Sequence, residues 1–178
     1  MMTVSTGYGW TVLRGGAAVG LLAGPWVAMR FTAEVNWSPG DFVVFGTMRA
    51  CVCGTWEFVA RRRCDGAYRG AVGMALATTF LALWIDLAVG IAGPPGALAN
   101  RVFLAVLGLG VVAAVLARGR AAGMMRMMLV MALAQTSVGL AGWVVAASPG
   151  PVVGLSLVFV GLWLISAGLF ARAARAQH

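Results

Sequence analysis

Two ionisable side chains, Arg49 and Asp86, fall inside long apolar stretches of this chain. Charge in a hydrocarbon layer is costly, so such residues point to a pairing, an ion path or a proton relay. Arg49 lies eight residues past Asp41, or ~12 Å along a helix. Asp86 lies seven residues before Gly93, or ~10 Å from the same side of the next helix. Matching depths on consecutive helices make them an expected ion pair. Thr79 sits two turns from Asp86 on the same face, and Gln135 falls midway along a later apolar stretch. Arg49, Asp86, Thr79 and Gln135 thus form a candidate intramembrane polar site. Its plainer reading is a structural pair, with hydroxyls bonded to carbonyls of their own helix. Its sharper reading is a small permease or channel.

Other chemistry is sparse. The one histidine is the last residue, His178, which argues against bis-histidine haem, zinc-histidine sites and histidine relays. Neither a phosphate-cradling P-loop nor H-E-x-x-H occurs, and the five acids are scattered. No enzyme, cofactor or metal centre is expected. Cys51 and Cys53, two apart on a helix, point about 200° apart and cannot share a metal; they read as small buried hydrophobes. Met124, Met127, Met128 and Met131 share a helix face. Thioethers hold Cu(I), but a stripe at this spacing reads first as packing or lipid-facing surface. Glu57 precedes Arg61 by four residues, the favoured order for a helical ion pair.

The elements that must hold these residues are membrane helices. Of 178 residues, 61% are hydrophobic and 10% charged, and mean hydropathy is +0.92. Soluble domains carry about 25% charged residues, so lipid must be the outer solvent. Six spans are expected, at roughly 10–30, 41–60, 70–92, 101–118, 124–147 and 151–171. Ser38-Pro39-Gly40-Asp41 reads as a capping box, with Pro39 in the first helical position. Gly93-Pro94-Pro95-Gly96 and Ser148-Pro149-Gly150-Pro151 read as turns, and Asn100 as a cap. Gly16, Gly20 and Gly24 in the first span, and Gly154, Gly161 and Gly168 in the last, read as close-packing seams.

The net charge of +8 comes from thirteen arginines and no lysine. They flank apolar spans, which excludes nucleic acid as the partner and favours topology signals and anionic headgroups. Arg14, Arg61, Arg62, Arg63, Arg69, Arg118, Arg120, Arg126, Arg172 and Arg175 fall on one side, Arg30 and Arg101 on the other. Both termini are therefore expected to be cytoplasmic. Trp10, Trp26, Trp56 and Trp143 fall near the interfaces. The first span, with a single arginine before it and no small-x-small cleavage site, is expected to be retained.

The runs AEVNW (33–37), GDFVV (40–44), WEFVARR (56–62), AYRGAVGMALA (67–77), WIDLAVGIAG (84–93) and GMMRMMLVMALAQ (123–135) together resemble a family of small uncharacterised bacterial inner-membrane proteins. The likeness covers most of the chain and is most specific over 33–93. It implies a bacterial cytoplasmic-membrane location and carries over no functional residues. In the family pattern position 49 is apolar and position 86 asparagine, so the charge pair is expected to be peculiar to this protein. The expectation is one domain, 1–178: an all-α polytopic bundle of about six transmembrane helices. Its expected role is a non-enzymatic structural, accessory or partner-binding component, in contact with lipid and with a second copy or another membrane protein.

Overall fold

A computed structural model describes residues 38–88, 98–145 and 149–176. Its regular elements are helices: α1 Pro39–Arg62, α2 Gly66–Ala88, α3 Leu98–Leu116, α4 Ala121–Val145 and α5 Pro149–Arg175. The expected first span, with Gly16, Gly20 and Gly24, lies outside the described residues, as do 93–96 and Ser148. The chain divides into two compact units, residues 1–50 and 51–178.

Local chemistry accounts for the helix ends. At the start of α1 the Asp41 carboxylate accepts from the Ser38 N–H at 2.7 Å and from its hydroxyl at 2.9 Å. The Asp41 N–H donates back to Ser38 Oγ at 3.3 Å, so the box closes as its spacing predicts. Helix α1 ends at Arg62 and α2 begins at Gly66, so most of the arginine-rich stretch 61–69 is helical rather than loop. The Asp65 carboxylate accepts from the Ala67 N–H at 2.9 Å and opens α2. Helix α3 stops at Leu116 rather than near 118, because Arg118 (φ 48°) and Gly119 (φ 68°) are both left-handed. Helix α3 begins at Leu98, so Asn100 lies within its first turn and is not its cap. Helix α5 takes in Pro149 and Pro151, where first-turn N–H groups have no intrahelical acceptor to lose.

Within residues 51–178, α5 is the central element, with α2 and α4 packed on it and α3 packed on α4. Its inner face is Phe159, Trp163, Ala167, Phe170 and Ala173, all buried, at the three- and four-residue spacing of one helix face. Helix α4 answers with Met128, Met131 and Ala132, and α2 with Ala71, Val72, Ala75 and Ala82. The methionine stripe is therefore packing surface: Met128 and Met131 are buried, Met124 and Met127 half-buried. Close approach occurs at glycines other than those expected. A Cβ at Gly139 would stand 2.8 Å from the Ser156 Cβ, and one at Gly73 would stand 2.9 Å from the Trp56 ring. By contrast, a Cβ at Gly154, Gly161 or Gly168 would meet no described atom within 4 Å. The seven-residue stripe on α5 faces away from its described neighbours, because the bulky residues between the glycines supply the inner face. Cys51 and Cys53 are likewise exposed rather than buried.

Four described helices are long and apolar enough to cross a membrane: Pro39–Arg62, Gly66–Leu87, Ala121–Ala141 and Gly150–Arg175. Among the described residues Phe103–Leu116 of α3 is a shorter apolar helix. Large apolar side chains face outward along them, among them Val130, Leu133, Leu157 and Val144, the last 81% exposed. Water would not tolerate such a surface, whereas lipid does.

Candidate functional site

The seam between α4 and α5 is where uncommitted polar groups gather. Gly139 on α4 is pressed against Ser156 on α5. Neighbouring turns of the two helices place Gln135, Ser156 and Trp163 on inward faces, each at most 3% exposed. Gln135 Nε2, Ser156 Oγ and Trp163 Nε1 are all buried without a hydrogen-bond partner among the described residues. The amide and indole nitrogens are donors, and the hydroxyl can donate as well. Enclosing a donor without an acceptor costs about 1–3 kcal/mol. Four nearby or neighbouring-helix hydroxyls are satisfied within their own helix: Thr78 bonds to the Met74 carbonyl, Thr79 to Ala75, Thr136 to Ala132 and Ser137 to Leu133. A shallow groove of about 110 Å³ opens beside Ser156, flanked by Thr136, Leu140, Trp143 and Val153.

These contacts set the register of the expected site residues. Ser166 Oγ donates to the Ala71 carbonyl at 3.0 Å, a buried bond that ties α5 to α2. Counting from it along antiparallel helices, Thr79 stands level with Val158 and Asp86 with Pro151. Counting from the Gly139–Ser156 contact, Gln135 stands level with Val160. Thr79 and Gln135 therefore lie within about 3 Å of one depth, whereas Asp86 lies about 10 Å from Thr79 and about 14 Å from Gln135 along the axis. Asp86 is 3% exposed. The Thr79 hydroxyl, bonded at 2.8 Å to the Ala75 carbonyl, follows the plainer of its two expected roles. Arg49, half-buried on α1, has its Nε enclosed without a hydrogen-bond partner among the described residues. Its expected pairing with Asp86 would join the two units and is carried below as a proposal.

At the other end of α2, α4 and α5 several polar groups are engaged with one another. The Gly119 carbonyl accepts from Arg63 Nη2 at 2.9 Å and from the Tyr68 hydroxyl at 3.0 Å. The Arg63 guanidinium lies 4.8 Å from the Tyr68 ring centre, and Tyr68 meets Phe170 edge-on at 5.3 Å. One knot thereby ties the 63–65 connection, the 117–120 turn and the last turns of α5. It gathers Arg61, Arg62, Arg63, Arg69, Arg118, Arg120, Arg172 and Arg175 at one end. Glu57 holds Arg61 at 2.8 Å, as their spacing predicts.

Of the seam donors Gln135 was singled out by sequence, whereas Ser156, Trp163 and this knot were not. Gly119, flanked by two arginines at a break in hydropathy, carried a readable signal for a left-handed turn. Ser156 and Gly139 carried none, since no local pattern reports which small residues of two helices will meet. No family model, curated protein or solved structure matches this chain.

Proposed function

We propose that this chain is a multi-pass protein of the bacterial cytoplasmic membrane, with six transmembrane helices and both termini in the cytoplasm. Its role is that of a non-enzymatic structural or partner-binding component. The observation that carries this reading is the division of its surface. Apolar side chains face outward along four span-length helices, while arginines collect around the Gly119 turn at one end. Positive charge marks the cytoplasmic side of membrane proteins. The 19 residues of α3 reach ~28 Å, close to the ~30 Å hydrocarbon thickness; with the stretch 10–30 it completes six spans. The motif resemblance over 33–93 supports the same location. Reporter fusions at Cys64 and Gly119 test the topology, both expected to report cytoplasm. Release of the protein by carbonate washing would overturn it.

A second reading, a small permease with a polar site around Arg49, Asp86 and Gln135, is favoured by the unpartnered Gln135 amide and the burial of Asp86. It predicts that thiols placed at 79, 86 and 135 react with membrane-impermeant reagents. In the structural reading they stay protected, and the double variant Arg49→Leu/Asp86→Asn restores the abundance that either single change lowers.

A further inference from the structure

We propose that the 117–120 turn, together with the outward face of α3, is a binding site for an anionic phospholipid of the cytoplasmic leaflet. The proposal rests on the membrane-spanning reading and its orientation, and it names which arginines contact lipid specifically. Most cations at this end already have company inside the protein. Arg61 is held by Glu57, Arg63 by the Gly119 carbonyl, and Arg62 and Arg69 stand over the Phe58 and Trp56 rings. Arg118 and Arg120 differ. Both are exposed, and neither makes a side-chain hydrogen bond or ion pair among the described residues. The nearby carboxylates, Glu57 and Asp65, are engaged elsewhere.

The turn is also held in place rather than loose. The Arg118 N–H bonds to the Val115 carbonyl and the Arg120 N–H to that of Ala117. The Gly119 carbonyl takes two further donors from outside the turn. Two guanidiniums are therefore presented on a fixed base to whatever lies outside. Helix α4 then begins at Ala121, with arginine in the cap position, where Ser38 and Asp65 supply an oxygen acceptor to α1 and α2. A phosphate oxygen is the acceptor chemistry that both guanidiniums and first-turn amides suit.

A free anion would satisfy that charge, but the apolar surface beside it calls for a chain. Leu109, Val112, Val115 and Leu116 form an outward stripe on α3, with Leu116 75% exposed. That stripe leads directly to Arg118. A headgroup phosphate at Arg118 and Arg120, with its acyl chain along α3, uses both features at once.

The test is native mass spectrometry of the full chain released from nanodiscs of mixed phosphatidylglycerol and phosphatidylcholine. Wild type is expected to retain phosphatidylglycerol preferentially. Arg118→Gln/Arg120→Gln should weaken that preference about tenfold or more, since each basic residue near an anionic surface strengthens attraction several-fold. Arg61→Gln/Arg62→Gln should retain it, and millimolar inorganic phosphate should not displace the lipid. Equal preference in the 118/120 variant, an equal loss in the 61/62 variant, or displacement by phosphate alone overturns the proposal. If the double variant does not reconstitute, Arg120→Gln alone decides, with a several-fold loss expected. A wild-type chain that cannot enter nanodiscs fails the membrane reading instead.

Discussion

At the arginine end the buried polar groups have found partners; along the α4–α5 seam three buried polar atoms have none among the described residues. Arg63 and Tyr68 converge on one carbonyl, and Asp65 holds a backbone amide. Less than the length of α4 away, Gln135, Ser156 and Trp163 bury donor atoms that no described residue accepts. The first arrangement locks connections between helices and leaves little to explain. The second holds unsatisfied polarity inside a packed contact, where a low dielectric makes it most costly. The difference separates polar residues that build the fold from those that are open to something else.

The largest effect that would break this contrast is at Gly139. In Gly139→Leu the first added carbon already stands 2.8 Å from the Ser156 Cβ, which is anchored to backbone and cannot swing away. Overpacking of this kind costs about 1–3 kcal/mol or more, so the detergent-solubilised protein should melt several degrees lower. Gly161→Leu, with no described atom near its Cβ, should change the melting temperature far less. If the two behave alike, the seam is not the close contact described.

Next in size is Gly119→Ala, at the arginine end. Its φ of 68° is left-handed, and a Cβ would crowd the Tyr68 hydroxyl at 3.2 Å and Arg63 Nη2 at 3.3 Å. The conformational penalty alone is about 1–2 kcal/mol. Tyr68→Phe, which removes one of the two donors, should cost about 0.5–1.5 kcal/mol. Thermal melts of both variants check the order, which is glycine first.

These two sites also show what could be read before any coordinates. The helices, the Ser38–Asp41 box and the Glu57–Arg61 pair were legible because each depends on residues within four positions of one another. The end of α3 was missed by two residues, since hydropathy runs on through Ala117 while backbone sign at Arg118 does not show in composition. Gly154, Gly161 and Gly168 meet no described neighbour, for a related reason. Spacing reports that small residues share a face, but only the neighbour decides whether that face is covered. The Gln135 side chain was found as a buried polar group, yet its depth relative to Asp86 depended on two interhelical contacts, Ser166–Ala71 and Gly139–Ser156. Register between helices is a property of pairs, and no single stretch of sequence holds it.

A smaller effect is expected at Ser166. Ser166→Ala removes the buried bond to the Ala71 carbonyl with little change of volume. Interhelical hydrogen bonds within membranes average about 0.6 kcal/mol, so a melting shift of only a degree or two is expected. A larger shift would mean that α2 relies on this bond to stay on α5.

The smallest effect, and the one that sharpens the comparison most, is Gln135→Leu. Leucine is close in volume and carries no donor, so the substitution removes an enclosed N–H that has no acceptor among the described residues. Removing such a group without stranding a partner is near neutral or slightly stabilising. The expected shift is therefore close to zero, opposite in tendency to that of Ser166→Ala, although both positions are buried and polar. A clear loss of stability in Gln135→Leu would mean that the amide is occupied in the membrane, by water or by a small acceptor reaching it along the seam. Repeating the melt with Trp163→Phe separates these cases. A shared occupant makes the two losses non-additive, because one guest is lost only once, whereas independent waters make them add.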